Sequence, residues 1–201
     1  MSKGMIIALV VIGAITVIGL GVFMWGTGVY NSLVTLDEGV SSAWSQVENQ
    51  YQRRADLIPN LVATVQGFAQ QEKEVLLGVT EARAQVGRMT VTKEVLNDPE
   101  AFAKFQAAQD NLSSALQRLL VVAENYPQLK SNENFLSLQT QLEGTENRIA
   151  VARKDFNDVV QSYNTGLRRF PGSLIAGFTG FREKPYFKAK EGTENAPQVK
   201  F

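Results

Sequence analysis

The stretch YQRRADLIPNLV, residues 51–62, decides how this chain folds. Two adjacent arginines, an acid and a proline interrupt a sequence otherwise patterned as helix. Proline lacks the backbone donor of a helix interior and disfavours helix at the residue before it. A single helix from residue 30 to 87 would exceed roughly 80 Å, and a later helix about half as long would leave much of its apolar face uncovered. A break at ADLIPN gives segments of matched length. On this reading Asp56 caps the helix that follows, and Pro59 sits in its first turn, where a missing N–H is harmless. Arg53 and Arg54 remain available for ion pairing. The alternative is one continuous helix kinked at Pro59.

Towards the amino terminus, Leu33, Leu36, Val40, Trp44, Val47 and Tyr51 recur every three or four residues and give a helix one apolar face. No proline separates this helix from GMIIALVVIGAITVIGLGVFMWGTG, Gly4 to Gly28, which holds no charged residue. Crossing a bilayer takes roughly 20 apolar residues. A signal peptide's apolar core is shorter, roughly 7–15 residues, and ends in small residues at a cleavage site. MWGTGVY is a poor cleavage site, so residues 1–29 read as an uncleaved membrane anchor. Lys3 precedes the span, and Asp37 and Glu38 follow it, which places the body outside the cytoplasm. Arg53 and Arg54 lie close enough to weigh in the opposite sense. Ala14, Gly21 and Gly28 recur every seven residues, with Gly19 and Gly26 as a neighbouring stripe. Small residues let membrane helices approach closely, so these stripes are candidate packing surfaces.

Beyond the opening stretch, Leu61, Val65, Phe68, Glu72, Val75, Val79, Ala82 and Val86 continue an alternation of four and three through a second helix. Asp98 and Pro99 are suited to the cap and first position of a third, faced by Phe102, Phe105, Leu112, Leu116, Leu119 and Ala123. A fourth runs from about Asn132 to Leu167, faced by Phe135, Leu142, Ile149, Phe156 and Tyr163. The fold class is therefore all-α: one transmembrane helix followed by an antiparallel four-helix bundle of long helices. The divisions are an anchor over 1–29, a bundle over 30–170, and an aromatic C-terminal segment over 171–201 that ends in a short, polar, disordered tail.

Composition narrows the chemistry. The formal net charge is zero, which argues against a general nucleic-acid binder. Cysteine and histidine are absent, which removes disulfides, thiolate metal sites, the commonest general base and the commonest metal ligand. The residues point to no catalytic group, cofactor or metal.

Three long strings carry a family resemblance: VYNSLVTLDEGVSSAWSQVENQYQRRADLIPNLVATVQGFAQQEKEVL, AENYPQLKSNENFLSLQTQLEGTENRIAVARKDFNDVVQSYN, and FPGSLIAGF. They resemble the LemA family of bacterial membrane proteins over nearly the whole chain. The resemblance implies a single membrane helix followed by an α-helical bundle in a bacterial membrane protein; together with the charges on either side of the span, the expected place is the cell inner membrane with a periplasmic body. It implies no catalytic residues. GFAQQEKEVL has glutamine where the family pattern has histidine, and Phe156 stands where tyrosine is frequent.

The remaining candidates divide between chemistry and packing. Glu72 is the one acid on an apolar stripe, and an acid at the bundle edge paired with a basic side chain is the expected arrangement. Glu143, Glu146, Asp155 and Asp158 crowd the fourth helix and read as a solvated face with pairing along the helix. The YN pairs read as groups that satisfy helix ends. Phe170, Phe178, Phe181, Tyr186 and Phe187 lie beyond the bundle. They either fold back on it or meet a subunit or partner. The expected function is a non-enzymatic, membrane-anchored helical scaffold that self-associates or holds a partner at the membrane surface. The alternatives are a membrane-tethered regulator of another membrane protein and a carboxylate-based hydrolase. The expected partners are the lipid bilayer, further copies of the chain and an unidentified membrane protein.

Overall fold

The computed structural model describes residues 3–89 and 93–189; the expected disordered tail over 191–201 lies outside them. Six α-helices account for almost all of the described chain: α1 (Lys3–Phe68), α2 (Lys73–Arg88), α3 (Pro99–Ala123), α4 (Pro127–Lys130), α5 (Glu133–Arg168) and α6 (Gly172–Thr179). A 3-10 turn, Lys93–Asn97, leads into α3. No strand occurs among the described residues. The protein is all-α, with one long apolar helix at its amino end.

The stretch at 51–62 is not a joint. α1 passes through it without a break and carries Pro59 in its interior. Asp56 caps nothing; it accepts a hydrogen bond from Gln52 Nε2 one turn earlier, at 2.8 Å. The turn lies further on, where the backbone leaves α1 after Phe68 and enters α2 at Lys73. Ala69 there is buried, and the N–H of Glu72 closes the turn on the Ala69 carbonyl. The apolar period hid this turn because Val65 before it and Leu76 and Val79 after it face one core. Helix length requires a break before residue 87, and it falls about ten residues beyond Pro59, between Phe68 and Lys73.

The cost of an interior proline is met from outside the helix. Pro59 cannot donate to the carbonyl of Ala55, four residues back. Arg83 Nε, on α2, donates to that carbonyl at 3.2 Å. Replacing Pro59 with alanine restores the internal donor and is expected to raise stability by about 1–2 kcal/mol. Arg83→Ala should lower the stability of the unmodified chain by about 1 kcal/mol and do less when Pro59 is already alanine. Urea titrations of the four proteins measure that coupling, and additive effects would rule it out.

The body half of α1 and the whole of α5 lie antiparallel. Leu36 meets Gly166, Gly39 meets Val159, Gln50 meets Arg148, and Arg54 meets Glu146. At Gly166 the approach is close: a Cβ there would stand 2.9 Å from Leu36 Cδ1. α2 folds back beside α1, and α3 covers the seam. Asp98 caps α3 as expected, accepting from the N–H groups of Glu100 and Ala101, and Asn132 caps α5. The core has two clusters. One gathers Trp44, Phe102, Phe105, Phe156 and Phe187 near the membrane end; the other gathers Ile58, Leu61, Val65, Leu116 and Leu119 at the far end. Arg54 lies on α1 between them.

Candidate functional site

The membrane-proximal end is built from three pieces: the apolar half of α1, the helix α6, and residues 181–189. The charge-free run of α1 is exposed in the single chain except at Gly26, which is half-buried, and it is long and apolar enough to cross a membrane. Gly19 and Gly26 do not neighbour the stripe of Ala14, Gly21 and Gly28. Residues two apart sit roughly 200° apart around a helix, so the two stripes lie on opposite sides. The side chain of Ile175 on α6 reaches 3.9 Å from where a Cβ on Gly26 would be, whereas no other described residue comes within 4 Å of a Cβ on Gly21 or Gly28.

α6 turns back against the end of α5. Gly172 permits this, since a Cβ there would collide with the Gly166 carbonyl. Phe170 packs beside Trp25 with ring centroids 6.1 Å apart, and Phe181 beside Tyr30 at 5.8 Å. Past Gly180, at φ +80°, the chain runs extended along α5 and back towards α3.

This extended strap is held by carboxamides. Asn164 on α5 donates to the Lys184 carbonyl and accepts from its N–H, both at 2.9 Å. Asn157 does the same for Phe187, again at 2.9 Å in each direction. Gln106 on α3 repeats the pattern for Lys188, at 2.7 and 3.2 Å. Tyr163 donates to the Arg182 carbonyl. The YN pair at 163–164 therefore satisfies the strap and not a helix end. Burial, with the nearby Asp37 carboxylate, pushes the Tyr163 phenol up to about 12. Lys184 bonds to Asp37 at 3.0 Å and to Asn97 at 2.7 Å. The first acid after the span is thus tied to the strap.

Phe187 ends the strap inside the aromatic core. It lies 4.8 Å from Phe102, 5.4 Å from Phe156 and 6.1 Å from Trp44, centroid to centroid. The Arg153 guanidinium stands over its ring at 5.0 Å. Phe187 is therefore part of the fold, not a subunit contact. Phe181 is half-buried against Tyr30. Tyr186 is exposed, and Phe170 and Phe178 are the most exposed of all the large apolar side chains described.

The second polar feature is internal. Arg54 is fully buried, and its Nη1 donates to Glu146 Oε1 at 2.9 Å and to Ser113 Oγ at 2.7 Å. Its Nη2 donates to the Gln109 side-chain carbonyl. Arg54 Nε and the Trp44 indole N–H find no acceptor among the described residues. Arg53 is exposed and forms no ion pair among the described residues. Beside the node, Arg153 bonds to Asp110 at 3.0 Å and to the Tyr51 hydroxyl at 2.7 Å. Burial raises the Tyr51 phenol above its ordinary value, against the pull of Arg153. Glu72 sits at the bundle edge, but its partner is the Tyr126 hydroxyl at 2.9 Å and not a basic group. That bond holds the Tyr126 phenol above its ordinary value. Glu143 accepts from Gln139, and Asp158 pairs with Lys154.

The carboxamide clamps escaped the sequence reading. Asn157 and Asn164 stand seven apart, each following an aromatic of the α5 stripe, and that spacing is the signal that could have revealed them.

An apolar anchor running unbroken into an all-helical body, closed by a strap that reaches back to the first acid after the span, is the arrangement to set beside known proteins. The sequence pattern of the LemA family matches residues 43–201. The chain belongs to the LemA family. It is also similar to magnetosome protein MamQ 2 of Paramagnetospirillum magneticum, at 27% identity, with 94% of this chain and 75% of the relative covered. Magnetosome protein MamQ of Magnetospirillum gryphiswaldense is 28% identical over 85% of this chain and 70% of its own length. Protein LemA of Metamycoplasma hominis is 22% identical, covering 88% and 76%. The family pattern begins at Ala43, so α6, the strap, Arg54 and Glu146 all lie within it, while the span lies before it. This LemA-family chain is a membrane-associated protein with a single candidate span among its described residues.

Proposed function

We propose that this LemA-family protein is a membrane-anchored helical scaffold that assembles through its span and presents the body on the extracytoplasmic side. The observation that carries the reading is the open face of α1. No other described residue comes within 4 Å of where a Cβ on Gly21 or Gly28 would stand, on the side away from α6, while a Cβ on Gly26 would already meet Ile175. Such a face admits a second helix at close range.

A side chain started at Gly21 or Gly28 meets no other described residue at its Cβ, and leucine at both positions would hold two spans apart. The detergent-solubilised chain is expected to be a defined multimer by mass photometry, and the double leucine variant is expected to shift towards monomer. A monomeric parent chain would overturn self-assembly. It would favour the second reading, a tether that regulates another membrane protein, which draws support from the continuity of α1 from Lys3 to Phe68.

The orientation rests on Lys3 before the span and Asp37 and Glu38 after it. Protease added to intact spheroplasts should degrade the body. Full protection until lysis would place the body in the cytoplasm.

A further inference from the structure

We propose that α6 is a second membrane contact: an interfacial helix that lies in the headgroup layer and inserts Phe170, Leu174 and Phe178 into the acyl boundary beside the span. The proposal rests on α1 crossing the bilayer.

Residues 170–181 contain no charge and are bracketed by Arg168 and Arg169 on one side and Arg182 on the other. At eight residues α6 is too short to span, so an apolar face on it can only lie along the surface. Its two sides differ. Gly172, Ile175 and Ala176 turn inward, while Leu174 and Phe178, four residues apart, share the outer side with Phe170. Phe178 is 84% exposed and Phe170 76%, more than any large apolar side chain of the span itself. On the bundle, the other exposed large apolar side chains, such as Leu77, Val121 and Val151, are scattered among helices that carry ordinary charged surfaces.

The height of α6 along α1 identifies what covers this face. It packs beside Trp25 and Gly26, and the residues that follow it meet Tyr30. α1 carries no charge from Gly4 to Leu36. That run is roughly 50 Å long at 1.5 Å per residue, against a hydrocarbon core of about 30 Å. The surplus lies in the interfacial layer, where tryptophan and tyrosine concentrate, and α6 sits at that level. Arg168 pairs with Glu183, whereas Arg169 and Arg182 are exposed and form no ion pair among the described residues. They are placed to meet anionic headgroups. The lipid surface is thus the continuation of a contact that the span already makes.

The chain has no cysteine, so single-cysteine labelling needs no prior substitution. Leu174→Cys and Phe178→Cys are each labelled with a nitrobenzoxadiazole probe. Val17→Cys in the span and Val121→Cys on α3 serve as references. The full chain is reconstituted in phosphatidylcholine–phosphatidylglycerol vesicles, with and without a lipid carrying a shallow nitroxide quencher. Each buried apolar side chain favours the embedded state by on the order of tenfold. Iodide quenching at 174 and 178 should therefore fall to the level at 17, while the shallow nitroxide quenches both strongly and 121 behaves as a water-exposed site. If 178 is as open to iodide as 121 while 17 stays shielded, the α6 proposal fails and the span stands. If 17 is also open, the span reading fails and this one with it. Shielding at 178 without quenching by the lipid would assign the face to a second protein surface and overturn the lipid contact.

Discussion

Replacing Glu146 with alanine is expected to lower the stability of the body by about 2–3 kcal/mol, among the largest effects of any single change to a polar side chain here. Arg54 is fully buried on α1, and Glu146 is the only carboxylate paired with it among the described residues. Its other acceptors, Ser113 and Gln109, are neutral. Removing the acid leaves a guanidinium charge in a site that water reaches only from the Glu146 side, where that side chain is 37% exposed. That partial access is why the expected loss falls below the 3–5 kcal/mol typical of a fully enclosed pair. Glu146→Gln keeps an acceptor and should lose less. The decisive comparison is the double variant Arg54→Met, Glu146→Leu. Removing both charges avoids an unpaired ion, so this variant should be more stable than Glu146→Ala alone, despite two substitutions. Urea melts followed by circular dichroism measure the order. An alanine variant as stable as the parent would show that Arg54 does not depend on its acid.

Phe187→Ala should cost about 3 kcal/mol, typical of removing a core phenylalanine. The ring fills a site formed by Trp44, Phe102, Phe156 and Arg153. The strap has no ladder or helix of its own; this side chain is its one aromatic anchor in the core, beside the three carboxamide clamps, the Tyr163 bond and the ion pairs of Lys184 and Glu183. Loss of the ring should free the strap before the bundle melts, since segments with few buried contacts open at lower free energy than the core. Hydrogen exchange at the amides of Lys184, Phe187 and Lys188 should accelerate well before that of α5. Phe178→Ala, on an 84% exposed side chain, should change stability by less than about 0.5 kcal/mol in detergent. Equal losses at the two positions would contradict the division of the aromatic segment into core and surface.

The all-α class and the apolar anchor are legible in the residues alone. The charge-free run from Gly4 to Gly28, the three-and-four stripes that carry Trp44, Phe105, Leu116, Ile149 and Phe156, and the cap at Asp98 are local signals. They depend on the period of a helix and the orphan donors at its start, so neighbours in sequence suffice to read them. The missing histidine and cysteine narrowed the chemistry in the same direct way. What needed the tertiary structure was every choice between partners distant in sequence. Pro59 looked like a stop because its lost hydrogen bond is local, while the donor that replaces it, Arg83, comes from another helix. The turn at Ala69 looked like helix because both sides of it face the same core. Arg54 and Arg53 are adjacent and chemically alike, and only the approach of α3 and α5 buries one and leaves the other in water. Among five aromatics after the bundle, backbone-reading carboxamides on α5 and α3 set the register that carries Phe187 into the core, and the packing of α6 against Trp25 and Gly26 leaves Phe170 and Phe178 facing outward. Side-chain type is written residue by residue, but burial is a property of the surfaces that meet, and those surfaces belong to elements far apart in the chain.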